Sequence, residues 1–281
     1  MLYIGIAAVV LVIIIIIAKT SKRKAAEKAA VAAEAEHRRK HEEAMRKADE
    51  EIRKKKAAEA AAEAEAKKRA DAKEAAIQAA IAKAPGSERF RVDGYPDKWG
   101  GKILGITEFT PISKKQFIAF DTETTGFSDG DDEIIEIAAV RVVNGVITDE
   151  YSQLINPGCS VPAEASAVNH ITDDMLRGMP KIYEVLPSFL AFVGDDVIAA
   201  HNASFDAKFL AQACMRNRFK APEVYFDTMA LARYYPDAEN KKLGTLLACA
   251  GIENEKAHRA LGDARAVAQL IIHTNEIRKK K

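Results

Sequence analysis

The sequence predicts an α/β fold in its C-terminal part: a mixed β-sheet flanked by helices, preceded by a transmembrane helix and a long Ala/Glu/Lys-rich helix. Three observations carry this prediction. Strand-like segments come first along residues 116–154, and helices with interleaved strands follow up to residue 278. Residues 19–84 contain neither glycine nor proline and consist almost wholly of strong helix formers. Residues 2–18 carry no charge.

The apolar segment Leu2–Ala18 is 17 residues long, at the short end of what spans a bilayer. No basic region precedes it and no small-residue cleavage site closes it, which argues against a secretory signal. A buried core helix fits less well, because the following segment is too charged to pack. Lys19, Lys22, Arg23 and Lys24 follow. By the positive-inside rule we expect a single-pass protein of the inner, cytoplasmic membrane with its folded domain in the cytoplasm.

Residues 19–84 are predicted to form a helical stalk, supported by acid–base pairs at four-residue spacing. This stretch holds 19 Lys and Arg against 13 Asp and Glu, so it could contact anionic lipid or nucleic acid. Val31, Met45 and Ile52 share a heptad phase before the register slips. A solvated single helix and a weak coiled coil, with a protein partner or self-association through the stalk, both stay open. Residues 85–115 are expected to be a linker or a small element.

The predicted folded domain covers residues 116–278, long enough for one core. Asn144-Gly145 is typical of a type I′ turn between two paired strands. The remaining elements follow from apolar periodicity and turn signals. Strands are expected near 116–122, 134–143, 146–154 and 196–200, and helices near 172–178, 182–193, 203–217, 228–234, 242–250 and 263–278.

Four carboxylates occupy positions where the apolar pattern makes them conspicuous. Asp121 and Glu123 end an apolar strand and share one of its faces, because side chains two residues apart point the same way. Asp206 and Asp263 lie on the apolar stripes of two predicted helices, each near its start. A single such acid is usually a cap or a buried ion pair. Together they predict a shared hard cation, Mg²⁺ or Mn²⁺.

His258 precedes Asp263 by five residues, in the loop that leads into the last helix. A lone loop histidine is ordinarily a solvated residue. Next to a metal-binding aspartate, it could instead act as a general base for water near neutral pH. The predicted chemistry is hydrolysis of a phosphodiester with two metal ions.

These residues lie in three segments that resemble the motifs of the DEDDh exonucleases, and most of all the proofreading (epsilon) subunit of bacterial replicative DNA polymerase. The similarity continues outside the motifs and covers roughly residues 116–277. The motif segments are 120–126 (FDTETTG), 201–206 (HNASFD) and 258–264 (HRALGDA), and the others are 134–137 (IIEI), 154–158 (LINPG) and 170–172 (HIT).

The resemblance implies an RNase H-like fold and a 3′-to-5′ exonuclease with two Mg²⁺ or Mn²⁺ ions. It assigns the metals to Asp121, Glu123, Asp206 and Asp263, and water activation to His258. It also implies contacts with the terminal nucleotide, with Phe127 as a base-stacking wedge. The other expected substrate contacts are Thr124, Gly126, His170, His201, Asn202 and Phe205, of which Asn202 could equally be a helix cap and Phe205 a core residue.

The expected partner is a single-stranded nucleic-acid 3′ end, DNA rather than RNA, with the membrane as a second partner through residues 2–18. Relatives with these motifs act on either nucleic acid, so an exoribonuclease is an alternative. A membrane-tethered scaffold that only binds nucleic-acid ends is the other alternative, although it would have no need of His258. An anchored chain also fits a freely diffusing replication subunit poorly.

Overall fold

The computed structural model describes residues 2–92, 102–104, 116–254 and 256–280, with side chains omitted for residues 2–16 and 104. The chain divides into two compact units, Met1–Asp71 and Ala72–Lys281. Most of the expected linker or small element, residues 93–101 and 105–115, lies outside the described residues.

The first helix, α1, covers Leu2–Lys83. Within the described residues, no helix combines the length and the apolar character that a membrane crossing requires. The predicted anchor of residues 2–18, and with it the predicted place in the cytoplasmic membrane, is therefore wrong. At ~1.5 Å per residue, 17 residues of helix cover about 26 Å, less than the ~30 Å of a bilayer core.

The charged part of α1 carries ion pairs at four-residue spacing, as predicted. Glu36–Lys40, Glu43–Lys47 and Glu50–Lys54 form with N–O distances of 2.7–2.8 Å. Arg38 and Glu42, also four residues apart, lie 3.2 Å from each other. The side chains of Val31, Met45 and Ile52 are exposed. Exposed ion pairs at four-residue spacing each stabilise a helix by only about 0.3–0.5 kcal/mol.

The last turns of α1 belong to the second unit, together with a 3₁₀ helix at Ser87–Phe90. Ile77 is 2% exposed and lies in one of the cores of this unit. Arg91 donates two hydrogen bonds of 2.9 Å to the Glu74 carboxylate and one of 2.6 Å to the carbonyl oxygen of Asn217. Residues that the sequence assigned to stalk and linker are thus packed against the folded domain.

A six-stranded mixed sheet forms the centre of the second unit. Its order is β1-β6-β5-β2-β3-β4, with β2, β3 and β4 antiparallel and β2, β5, β6 and β1 parallel. Asn144 and Gly145 both have positive φ, as the predicted type I′ turn requires. The strands are β1 Lys102–Leu104, β2 Gln116–Thr124, β3 Ile134–Val143, β4 Val146–Leu154, β5 Ile198–Ala200 and β6 Val224–Asp227.

Helices cover both faces of the sheet. Two of them, α4 and α5, pack with the end of α1 in one core, while α6 and α7 pack on the other face. The predicted mixed sheet flanked by helices is confirmed. The helices are α2 Ala163–Asn169, α3 Asp173–Leu176, α4 Ile182–Val193, α5 Ala203–Arg216, α6 Leu243–Ala250 and α7 Ala260–Lys279, with a 3₁₀ helix at Thr228–Tyr234.

Sequence periodicity missed β1, β6 and α2. Each is seven residues or shorter, too short for an apolar repeat to emerge. The helix α7 begins at Ala260, three residues before the predicted start at 263. This difference brings Asp263 one turn inside the helix and leaves His258 just outside it.

Candidate active site

Three of the predicted carboxylates converge at the end of the central strand. Asp121 and Glu123 lie on the same face of β2, and this face packs against α7, which carries Asp263 in its first turn. One carboxylate oxygen from each of the three lies within 4.8 Å of the others. The spacing along β2 and the packing of α7 therefore create a single acidic centre from two distant parts of the chain.

Asp206 reaches this centre from the opposite face of the sheet. The backbone N–H of Ile118 donates to Val197 on the β5 side of β2, and by the two-residue period the N–H of Thr122 points to that side too. Since β5 ends at Ala200, this donor has no strand partner. It donates to Asp206 Oδ1 at 2.9 Å, and the Thr122 hydroxyl donates to the same oxygen at 2.7 Å.

All four carboxyl groups have raised pKa values. Desolvation by burial is the largest cause in every case. It raises the pKa of Glu123 to about 8 and that of Asp206 to about 7, where hydrogen bonds from Thr122 oppose it. The pKa of Asp121 is raised well above its usual range, with repulsion from Asp206 and Asp263 adding to burial. The site therefore disfavours the ionised form of these carboxyl groups, and a bound cation would offset that cost.

His258 lies beside Asp263, as its spacing in the sequence predicted. Its backbone N–H donates to Asp263 Oδ2 at 2.9 Å, and its side chain is exposed. The residue has a φ of 61°, in the left-handed region. The loop folds closely over α7, because a Cβ placed on Gly262 would lie 2.2 Å from the carbonyl oxygen of Lys256.

The last residue of β2 and the loop that follows carry three of the predicted substrate contacts, Thr124, Gly126 and Phe127. Phe127 is 91% exposed, and its ring packs edge-on at 6.3 Å from that of Phe205. Phe205 in turn lies 4.9 Å from the buried Phe209, so it is both half-buried and next to Phe127. The Thr124 hydroxyl donates to the carbonyl oxygen of Gly126 at 2.6 Å.

The other three predicted contacts occupy distinct surroundings. His170 is exposed and has a φ of 59° at the end of α2. His201 is bonded through both ring nitrogens, to the Thr228 hydroxyl at 3.0 Å and to the Lys241 carbonyl oxygen at 2.8 Å. Burial lowers its pKa. Asn202 takes the N-cap position of α5, but its side chain makes no capping hydrogen bond.

Several residues that sequence reasoning gave no role hold the site together. Asn254 donates to Asp263 Oδ1 at 2.6 Å, and Asp227 Oδ1 accepts the backbone N–H of Asn202 at 3.0 Å. Asn169 donates to the Thr124 carbonyl oxygen at 3.4 Å, linking α2 to β2. Glu136, inside the quoted segment 134–137, accepts hydrogen bonds from Arg259. The only sign of a role for Glu136 in the sequence was its charge within an apolar run.

A family model of exonucleases, RNase_T, matches residues 118–271, more than half of the chain. The chain belongs to this exonuclease family. The matched range contains the four carboxylates and His258, and its sheet and helices are those of the RNase H-like exonuclease fold. The chain is a 3′-to-5′ exonuclease of the DEDDh type, so the predicted family and enzyme class are confirmed.

The chain is similar to PolC-type DNA polymerase III of Clostridium perfringens, with 39% identity over 183 residues. This match covers 65% of the chain and 13% of that protein. The Bacillus subtilis protein of the same description is 39% identical over 164 residues, 57% of the chain and 11% of that protein. The chain thus spans only a small part of the length of these relatives.

Escherichia coli exonuclease I in complex with a dT13 oligonucleotide is similar in fold, with a TM-score of 0.51, 18% identity and coverage of 59% of the chain and 43% of that structure.

Proposed function

We propose that this exonuclease removes nucleotides from DNA 3′ ends with two divalent metal ions and with His258 as the general base. The observation that carries the proposal is the convergence of Asp121, Glu123 and Asp263 within 4.8 Å, next to a loop that presents His258 to solvent. A binding module would gain nothing from crowding carboxylates in a half-buried position, because their mutual repulsion costs stability.

The donor set fits Mg²⁺ or Mn²⁺, which prefer carboxylate oxygens. Asp121, Glu123 and Asp263 would hold the ions, with Asp206 completing the set through the oxygen that Thr122 does not occupy. When bound, the ions neutralise the carboxylates and supply Lewis acidity at the phosphodiester that is cleaved. The raised pKa values of these groups support the fit, because buried and mutually repelling carboxylates are stabilised by a cation.

His258 is proposed to accept a proton from the attacking water through its imidazole ring. Its backbone N–H is bound to Asp263 at 2.9 Å, which fixes the main chain while the side chain remains exposed at the acidic centre. A histidine is suited to this task because it exchanges a proton near neutral pH.

Phe127 is proposed to stack on the terminal base. Its exposed ring contacts the ring of Phe205, which in turn contacts the buried Phe209. A base stacked on Phe127 would therefore be supported by a row of aromatic rings that begins in the core. Thr124 at the end of β2 and Gly126 in the following loop are proposed to contact the same nucleotide. The exposed His170 and Asn202 are proposed to contact it from the border of the site. His201, with both ring nitrogens bonded inside the chain, is proposed to hold the 241–242 segment at the edge of the site.

The preference for DNA is supported by the relatives, which are described as DNA polymerases, at 39% identity. Because the chain spans only a small part of those proteins, their activity as DNA polymerases is not assigned to it. RNA is the alternative substrate, so the experiment must compare the rates of cleavage of DNA and RNA.

The test uses the full-length protein and 5′-labelled single-stranded DNA, mismatched duplex and short RNA, with products resolved on a gel. We expect stepwise shortening from the 3′ end of DNA with Mg²⁺ or Mn²⁺ and none with a chelator. Asp121→Asn should remove turnover, whereas Asp149→Asn on the outer strand β4 should not. His258→Ala should lower kcat by ~10²–10⁴-fold. Cleavage of DNA that survives Asp121→Asn, or faster cleavage of RNA than of DNA, would contradict the proposal.

A further inference from the structure

An ion pair between the half-buried Arg259 and the buried Glu136 lies next to the proposed base in the chain. Glu136 is 2% exposed, and its carboxylate accepts hydrogen bonds from Arg259 Nε at 3.0 Å and from a terminal guanidinium nitrogen at 2.8 Å. It also accepts the backbone N–H of Ala260, the first residue of α7, at 3.1 Å. A carboxylate at a helix N-terminus satisfies an otherwise unpaired donor and faces the positive end of the helix dipole.

The position of this pair links two parts of the site. Glu136 lies on β3 directly opposite Glu123 on β2, and Arg259 is the residue that follows His258. The pair therefore connects Arg259, the neighbour of the proposed base, to β3, the strand that pairs with the one carrying the proposed metal ligands Asp121 and Glu123. The Arg259 guanidinium also lowers the pKa of Glu123, opposing the effects of burial and of the neighbouring carboxylates.

The backbone of His258 requires such support. Its φ of 61° lies in the left-handed region, which residues with a side chain adopt at a cost unless the surrounding structure holds them there. Three contacts hold it. His258 N–H donates to Asp263, Asp263 N–H donates to the Arg259 carbonyl oxygen, and the Arg259 side chain is fastened to Glu136.

We infer that Glu136 and Arg259 are positioning residues that hold His258 in its active orientation, without touching the substrate themselves. This inference rests on the proposed role of His258. A buried ion pair is weak evidence for stability as such, since an apolar pair of similar volume often stabilises as well. Here the planar guanidinium gives a two-point, directional bond, which fixes the orientation of the chain.

The test compares Arg259→Gln with Arg265→Gln in the full-length protein. Arg265 lies on α7, which Arg259 precedes. It makes a similar two-point bond with Glu150 on β4, at 2.7 and 2.5 Å, so it controls for the loss of an ion pair between this part of the chain and the sheet. We expect Arg259→Gln to lower kcat on single-stranded DNA by about 10–100-fold, as loss of a supporting partner typically does, with KM changed by less than about threefold. Arg265→Gln should keep kcat. Arg259→Lys, which keeps the charge but not the fork, should recover only part of the loss.

A double-mutant cycle with His258→Ala shows whether the pair acts through His258. Once His258 is absent, adding Arg259→Gln should lower kcat no further, because the orientation it maintained no longer matters. An equal loss in both backgrounds, or an equal loss from Arg265→Gln, would overturn the inference.

Hydrogen exchange of the metal-free protein provides a readout without catalysis. Arg259→Gln should speed amide exchange in residues 256–262 and leave the rest of α7 protected, while Arg265→Gln should not change residues 256–262. Unchanged exchange there would refute the positioning role even if activity fell. If His258→Ala kept full turnover, the proposed base would be wrong, whereas the exchange result would still decide whether the pair holds the loop.

Discussion

Replacing Ile77 with alanine should destabilise the nuclease unit, although Ile77 lies in a helix that the sequence assigned to an exposed stalk. The side chain is 2% exposed and packs in the core shared by α4 and α5. Its truncation removes buried methyl groups and leaves a cavity that the sheet and two helices can fill only partly.

The expected loss is about 2–5 kcal/mol of the free energy of unfolding, the usual range for an isoleucine truncated in a core. For a unit of this size, each 1 kcal/mol lowers Tm by roughly 2–4 °C. A central value of about 3 kcal/mol therefore corresponds to a fall of about 6–12 °C.

Thermal and urea unfolding of the full-length protein measure this effect. Ile52→Ala, in the part of α1 where the same residue type is 52% exposed, is the matched control and should shift stability by less than about 0.5 kcal/mol. Activity below Tm should be unchanged in both variants, because neither residue is near the acidic centre. Removal of residues 1–71 should likewise preserve Tm of the second unit, and removal of residues 1–84 should lower it. Equal stability of Ile77→Ala and Ile52→Ala would refute the packing of this helix end.

Three further changes have defined outcomes. The stability of the metal-free protein should fall as pH rises from about 4 to about 8. In the folded state the pKa of Glu123 is raised to about 8 and that of Asp206 to about 7, so ionisation of these groups opposes folding. Mg²⁺ should remove this pH dependence, and a Tm that does not change with pH in the presence of a chelator would contradict the prediction. Phe127→Ala should raise KM for single-stranded DNA by about 5–150-fold, the equivalent of one stacked base at about 1–3 kcal/mol, with Tm unchanged since the ring is exposed. Gly262→Ala should cost about 1–3 kcal/mol and lower kcat, because its Cβ would collide with Lys256, whereas Gly244→Ala, with open space around it, should stabilise α6 slightly.

Reasoning from the sequence succeeded where a residue's role follows from a local repeat. Asp121 and Glu123 share a strand face because of the two-residue period of a strand, and the turn at Asn144-Gly145 follows from its need for positive φ. It failed for residues 2–18, where an apolar run alone suggested a membrane crossing that the described helices do not support.

Long-range geometry was beyond such reasoning. The sequence placed Asp206 on the core side of a helix. It did not show that the backbone N–H of Thr122 binds Asp206 Oδ1 and leaves the other carboxylate oxygen for a metal, because that N–H has no strand partner only where β5 ends at Ala200. Likewise, the pattern of residues 19–84 does not separate the solvated helix from its last turns. Ile77 and Ile52 look alike in the sequence, and only the surface they meet distinguishes them.

The sequence by itself determined that this protein belongs to the exonuclease family. The kinds of side chain and their spacing within each element also named the acidic residues and the histidine on which the proposed chemistry rests. The tertiary structure alone decided how these groups are held. It showed that Glu136 faces Arg259 across 123 positions of the chain and that the end of α1 completes a core. The physical reason is that periodicity reports which face of an element is buried, whereas the partner that buries it is chosen by packing between elements far apart in the sequence.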